Sequence, residues 1–366
     1  MATRSNNRLS IEKESPSSVR FLYFDLPAPW LRLKKKMGLV KSYYIAWQAG
    51  LRFRFGRQRE SYDLLHHITF NAFQVPGFWW MRRPMVILGP LGGGQTCPWR
   101  MLGFFRTQAP LELIRSLLVL LSSWNPTVLA SFFFARAILI ANRDTERRVP
   151  FWARKKIHRI LETAIDLAHT APLPEPGAGP IRFLQLGGLQ KRKGGEITLR
   201  AFAQALEKGK DITLTFAGKG PDEAFLRHLT ETLGLSDRVH FAGQISREAL
   251  EGLFASHHAL LFPSLRDTSG NVVLEAMAYG RPVIALRHQG VAEIATDETA
   301  LLIDITSPAG VIRDTATAIH RLAASPELRR TLGAAGMKRV GAVFSWEAYG
   351  EKVARVYAEV AVAPPR

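Results

Sequence analysis

From residue 181 onward, short β-branched or apolar runs alternate with longer stretches whose apolar residues recur three and four positions apart. IRFLQL, DITLTFAG, RVHFAG, HALLFPS, RPVIAL and ALLIDI read as strands. EITLRAFAQAL, PDEAFLRHLTETLG, SREALEGLFASH, NVVLEAMAYG and the segment after Ser307 read as helices. Such an alternation predicts a parallel sheet covered by helices, a Rossmann-like unit.

The first half is less regular, yet VRFLYFDL, DLLHHITF, MVILG and AILIAN are strand candidates, and Val40–Phe55 and Leu111–Leu121 are helix candidates. They predict a second α/β domain. At 366 residues the chain is long enough for two domains. The Pro- and Gly-rich APLPEPGAGP, residues 171–180, is the expected linker. The expected division is residues 1–175, residues 176–345, and a C-terminal helix over 346–366 that packs back toward the first domain. Ser345 caps that helix, and Trp346, Tyr349, Val353, Val356, Tyr357 and Val360 follow its period. Ligands of open α/β sheets lie at the carboxyl ends of the strands, so two such domains face each other across a binding cleft.

Charge is unevenly placed. Residues 1–175 carry 26 Lys and Arg against 11 Asp and Glu, whereas residues 176–366 carry 23 against 20. A basic first half attracts anionic partners such as phospholipid headgroups, lipid-linked phosphates or nucleic acid, or it is simply a solvated surface. A single cysteine, Cys97, excludes an intramolecular disulfide framework and a cysteine-cluster metal site. The start of the chain has no apolar h-region, and no stretch reaches the roughly 18 uncharged residues that span a bilayer. The most apolar window, Val128–Ala141, is interrupted by Arg136 and reads as buried helix and strand. The expected location is cytoplasmic, with association at the cytoplasmic face of a membrane.

Chemistry concentrates in PSLRDTSGNVVLEAMAYGRPVIA, residues 263–285, where a strand ends at Pro263 and a helix starts near Ser269–Asn271. Helix-start amides lack intrahelical acceptors and bind anions, and Gly270 lets a phosphate approach closely. Glu275 lies one turn further on and leans back toward that start, within reach of a ribose diol. Asp267, in the loop, can accept from sugar hydroxyls. In isolation the same residues read as an ordinary capped helix with two solvated carboxylates. A second candidate anion loop, LGGLQKRKGGE at 186–196, offers Lys191 and Lys193 to a diphosphate. AGKGPDE at 217–223 and FAGQIS at 241–246 also follow strands, the latter where a nucleobase can meet backbone atoms.

FLQLGGLQKRKGG, LTFAGKGPDEAFL, RVHFAGQISREALEGLF and FPSLRDTSGNVVLEAMAYGRPVIA together resemble a family 4 glycosyltransferase of the GT-B fold, over about residues 181–350. The resemblance implies an α/β protein of two Rossmann-like domains facing across a cleft, a nucleotide diphosphate sugar donor, retention of anomeric configuration, and no metal or other cofactor. It implies that Glu275 holds the ribose, Asp267 the donor sugar, and the amides of Gly270 and Asn271 the diphosphate, with Lys193 as fixed positive charge. Gly187, Gly188, Lys191, Gly218, Gln244, Ile245, Thr268, Ser269 and Leu274 complete the expected donor site. DLLHHITFNAF, ILGPLGGGQ and AILIANRDTE resemble acceptor-side strands of the same family. They make His66 or His67 a catalytic candidate facing the donor sugar, and the Gly92, Gly93 and Gly94 turn an acceptor-side element; at strand ends histidines are more often polar surface or core.

The sequence departs from the family pattern in three ways. Asp267 stands where Glu is commoner. Gly188 stands where a basic Arg usually succeeds the first glycine, with Lys191 and Arg192 as the nearest substitutes. The opening segment of the chain resembles the stretch that lies after the family's first strand-loop-helix unit, so an acceptor domain short of that unit is expected. The expected partners are a nucleotide sugar, a glycan or lipid-linked acceptor, and an anionic membrane surface, which the aromatic clusters Phe78-Trp79-Trp80 and Phe132-Phe133-Phe134 would suit if they are not core. Nucleic acid is not an expected partner, because the basic residues are not interleaved with aromatics in any recognition pattern. The rival readings are a noncatalytic nucleotide-sugar-binding protein, a nucleic-acid binder suggested by charge alone, and a GT-B sugar epimerase.

Overall fold

A computed structural model describes residues 1–14, 18–38, 40–55, 62–68, 72–79, 85–167 and 170–362. Its strands are β1 (Ala2–Thr3), β2 (Leu22–Tyr23), β3 (Leu64–His67), β4 (Met85–Leu91), β5 (Ala137–Ile140), β6 (Ile157–Arg159), β7 (Ile181–Leu186), β8 (Ile212–Ala217), β9 (Val239–Gly243), β10 (Ala259–Phe262), β11 (Val283–Leu286) and β12 (Leu301–Ile303). β1 and β2 form a small parallel pair, β3-β4-β5-β6 a four-stranded sheet, and β12-β11-β10-β7-β8-β9 a six-stranded sheet, each with all its pairings parallel. Every strand expected from the apolar runs is present; β1 and β6, too short to show a pattern, were not legible.

The six-stranded sheet is buried on both faces because its strands alternate. Phe183, Leu214, Phe216, Leu261, Ile284 and Leu286 enter one core cluster, while Leu184, Leu260, Phe262, Val283 and Ala285 enter the other. Helices cover both faces, which is why β10 and β11 are apolar and buried throughout, whereas β7, β8 and the edge strand β9 are interrupted by Arg182, Gln185, Thr213, Thr215 and His240. The four-stranded sheet obeys the same rule. Val86, Leu88, Ile138 and Ile140 meet Val119, Val128 and Phe132 on one side, and Ile87, Ala137 and Leu139 meet Val356 and Val360 of the C-terminal helix Trp346–Val362 on the other. That last helix therefore lies on the four-stranded sheet.

Strand order in the larger sheet reverses between β10 and β7. At such a switch point the loops leaving the two neighbouring strands run in opposite directions and open a crevice at their carboxyl ends. The loops leaving β7 and β10 are those that carry Lys193 and Asp267.

Candidate functional site

The crevice is built by close approach of two loops distant in sequence. Gly194 has φ 73°, and a Cβ there would lie 2.0 Å from the Pro263 carbonyl oxygen, so only glycine lets the β7 loop pass under the β10 loop. The Leu265 amide donates to Arg192 O at 2.7 Å, and Gln185 Nε2 donates to Lys193 O at 3.1 Å. These bonds hold Lys193 against Asp267, with which it forms an ion pair. Asp267 also accepts the Gly270 amide hydrogen at 3.3 Å.

Gly270 caps the helix Asn271–Ala278 in the left-handed region at φ 69°, and the Val273 amide returns to Gly270 O at 2.8 Å. The amides of Asn271 and Val272 open the helix without a carbonyl one turn earlier. The Glu275 side chain is half-buried, and its carboxylate has neither a hydrogen bond nor an ion pair among the described residues. Burial pushes its carboxyl pKa up, and Arg247 partly offsets this. The carboxylate thus stands half-buried and without a protein partner one turn inside the helix start, where the Asn271 and Val272 amides are also open.

The other half of the chain closes over this loop. Asn142 Nδ2 donates to Thr268 O at 2.8 Å, and Ser269 Oγ donates to Glu162. Arg266 pairs with Glu112 at 3.1 Å. Gln289 spans the crevice, accepting the Asp267 amide hydrogen at 2.8 Å and donating to Thr96 O at 2.9 Å. Gly290 beside it is obligatory, since a Cβ would lie 2.3 Å from Thr268 O. Asn142 and Gln289 escaped sequence reasoning. Asn142 caps Arg143–Glu146 through the Thr145 amide, a pattern visible as Asn-x-x-Thr, and Gln289 holds φ 53° at a helix start, which sequence does not reveal.

The remaining expected residues divide. Gly187 and Gly218 stack two loops, since a Cβ on Gly218 would lie 2.0 Å from Gly187 O. Gly188 has ordinary space, and Gln244 is exposed with Ile245 half-buried beside it. Lys191 does not reach the Asp267 loop as an available charge: its Nζ pairs with Asp222 at 3.0 Å, both side chains nearly buried. Arg192 donates to Gln190 Oε1 at 2.8 Å and to Arg266 O at 3.1 Å, so neither substitute for the missing arginine is uncommitted. The Leu274 side chain is wholly buried in the core and cannot line a donor site.

His66 is corrected as a catalytic candidate. Its Nε2–H donates to Gly89 O of β4 at 2.8 Å and its Nδ1 accepts from Tyr357 Oη at 2.6 Å, so one ring nitrogen ties β3 to β4 and the other ties the C-terminal helix to β3, and burial lowers its pKa. His67, on the opposite face of the strand, is buried against Tyr44 Oη at 2.8 Å and Gln48 Nε2 at 3.0 Å, and burial lowers its pKa to about 4. The glycine turn is also engaged. Gly92 O accepts from the Phe73 amide, Gly93 O from Gln74 Nε2, and the Gly94 amide donates to Thr145 Oγ1. Of the aromatic clusters, Trp79 donates to Gln48 Oε1 and Trp80 lies outside the described residues; Phe132 is core, whereas Phe133 and Phe134 are exposed.

Two parallel-sheet α/β units closing over loops at a switch point are the GT-B arrangement of glycosyltransferases. Sucrose-phosphate synthase from Thermosynechococcus elongatus shares the fold with a TM-score of 0.62 and 22% identity, covering 98% of this chain and 88% of that one. Residues 174–339 match the family Glycosyl transferases group 1 and form a domain of that kind. Alpha-D-kanosaminyltransferase of Streptomyces kanamyceticus is 30% identical over 227 residues, 60% of this chain and 58% of the relative. A GDP-mannose-dependent alpha-(1-6)-phosphatidylinositol dimannoside mannosyltransferase of Mycobacterium tuberculosis is 30% identical over 230 residues, 58% of this chain and 57% of the relative. The chain thus spans a little over half the length of these two curated relatives.

Proposed function

We propose that this chain is a retaining glycosyltransferase that moves a sugar from a nucleotide diphosphate sugar to a membrane-resident acceptor such as a lipid-linked glycan or a polysaccharide precursor. The observation that carries the reading is Glu275, half-buried and unpartnered one turn inside the Asn271–Ala278 helix. Asp267, Gly270 and Lys193 beside it supply the other end of a donor site. Glu275 accepts from the ribose hydroxyls, the amides at Asn271 and Val272 meet the diphosphate, and Asp267 orients the sugar. As the bond from the anomeric carbon to the diphosphate breaks, negative charge grows on the leaving oxygen. Lys193 and the helix-start amides stabilise it there, already aligned before the reaction. The acceptor hydroxyl oxygen bonds to the anomeric carbon from the face the diphosphate leaves, and its proton passes to the departing diphosphate oxygen. The lipid acceptor is supported by the mannosyltransferase relative, whose name specifies a phosphatidylinositol dimannoside.

A thermal-shift series with UDP-, GDP- and ADP-sugars on wild type and Glu275→Ala tests the donor. Stabilisation by one nucleotide class, absent in the variant, is expected; an identical response of both proteins defeats the assignment. Turnover is then measured with a membrane extract as acceptor source. A noncatalytic nucleotide-sugar-binding role is the second reading, favoured by Gly188 and by the prior engagement of Lys191 and Arg192. It predicts donor binding without sugar transfer or donor hydrolysis.

A further inference from the structure

The helix Ala109–Ser122 is amphipathic with its apolar side outward. At 100° per residue its inner arc holds buried Glu112 and Val119 with half-buried Arg115 and Ser116. The outer half-circle is seven leucine and isoleucine side chains between Leu111 and Leu121, each 41–66% exposed, with no polar residue among them. Trp124, 79% exposed, follows two residues after this helix, and Phe133, whose ring meets Trp152 edge-on at 6.0 Å, and Phe151, 80% exposed, add further exposed aromatics. An apolar patch of this extent marks an interaction surface.

Its border is cationic. Arg154 and Lys155 are exposed in the same turn as Phe151 and Trp152, and Lys156 Nζ donates to the carbonyls of Phe133 and Ala135 at 2.7 and 2.8 Å, closing that turn onto the aromatic end of the patch. Among the described residues no single helix is long and apolar enough to cross a membrane, and the inner arc is fixed to the protein by Glu112, which pairs with Arg115 at 2.9 Å and with Arg266 at 3.1 Å. A leucine face, aromatics beside it and a basic rim are what an anionic bilayer interface accepts: alkyl groups enter the acyl boundary, aromatics sit at headgroup depth, and Lys and Arg meet phosphates. A second copy meeting this face about a two-fold axis would bring rims of the same sign together.

We propose that this surface docks the protein onto an anionic phospholipid bilayer. Because Glu112 on the inner arc holds Arg266, the neighbour of Asp267, docking sets the crevice beside the headgroups, where a membrane-resident acceptor presents its hydroxyl. The inference rests on the proposed transfer reaction for its purpose, but the docking itself requires no nucleotide.

The test is co-sedimentation of the full chain with phosphatidylglycerol vesicles and with phosphatidylcholine vesicles, for wild type, Leu117→Glu/Leu121→Glu and Arg154→Glu/Lys155→Glu. Wild type is expected to bind the anionic vesicles, less so as salt rises, and the leucine variant to bind roughly tenfold or more weakly. The rim variant is expected to lose the preference for anionic lipid. Both variants replace exposed side chains, so the thermal midpoint and the nucleotide-induced thermal shift should remain those of wild type. Wild type left in the supernatant with anionic vesicles, or binding unchanged in the leucine variant, overturns the proposal. So does a dimer in sedimentation velocity that the leucine variant converts to monomer, which would assign the face to a second copy. Failure of nucleotide stabilisation in wild type bears on the transfer reading alone.

Discussion

Gln289 Oε1 accepts the backbone amide hydrogen of Asp267 at 2.8 Å, and the same side-chain amide donates to Thr96 O at 2.9 Å, so one residue fixes the Asp267 loop to the opposite wall of the crevice. Replacing it with alanine leaves an amide and a carbonyl without their partners and keeps an unfavourable φ of 53°. Gln289→Ala should cost about 1 kcal/mol in urea unfolding. Transfer should fall by more than that figure implies, because Asp267 loses its orientation. Gln289→Gly relieves the backbone but not the lost bridge. Recovery of stability without recovery of turnover would separate the two effects; full recovery of both would show that the bridge is dispensable.

Lys193 faces Asp267 before any donor is present, so a diphosphate must share the lysine with that carboxylate. Lys193→Ala should weaken nucleotide diphosphate binding by roughly 10- to 100-fold, the worth of one charge-assisted hydrogen bond in a largely buried site. Asp267→Asn frees the lysine instead. Nucleotide diphosphate affinity measured by calorimetry should then hold or rise while sugar transfer drops. A parallel loss of affinity in both variants would contradict this division of labour. The double variant should depart from additivity, since the two residues are in contact and Asp267→Asn has no lysine to free once Lys193 is gone.

The six strands from β7 to β12 were legible because β10, β11 and β12 are uninterrupted apolar runs and β7, β8 and β9 are short apolar or β-branched runs broken by single polar residues, and the loops at Lys193 and Asp267 because glycine and charge cluster where those runs end. Facing was harder to read. The periodicity of Leu111–Leu121 identifies a helix, but the same period is satisfied whichever arc turns inward, and here the leucines turn out. His66 and His67 must lie on opposite faces of β3, yet which face meets the crevice depends on where the helix containing Tyr357 returns, nearly three hundred residues later. Gln289 and Asn142 act across the gap between the two sheets. No local pattern encodes that distance.

Glu275 is held with a raised pKa by burial, so the folded protein takes up its proton at higher pH than the unfolded chain does. Stability is therefore lost as pH rises from the ordinary carboxyl range through the raised value, and the penalty persists above it. Glu275→Gln removes the buried charge. The variant should be more thermostable than wild type at neutral pH, with the advantage vanishing in mild acid, and should fail to respond to nucleotide sugars. A variant that is equally stable at every pH would place the carboxylate in bulk water and remove the basis of the donor assignment.

His67 moves stability in the opposite direction. Its Nε2 lies 2.8 Å from Tyr44 Oη, which itself accepts from Gln48 Nε2 at 2.7 Å, so the hydroxyl hydrogen points at the ring and the ring is neutral. Protonation would set a cation among donors in a buried space, which is why the pKa falls from the ordinary 6.5 to about 4. Between those two values the unfolded chain binds a proton that the folded chain refuses. Stability contributed by the neutral ring is fully present above the unfolded value and is lost as pH falls through that window, by an amount on the order of 3 kcal/mol. In His67→Gln this loss is removed, while the losses from His66, His257 and His288, also lowered by burial, remain and cancel in the difference. The gap between the wild-type and His67→Gln unfolding free energies should therefore narrow as pH falls from neutrality toward 4. Curves that run parallel over that range would mean that His67 titrates in the folded protein as it does in the unfolded chain, and hence that the Tyr44–Gln48 enclosure is open to water.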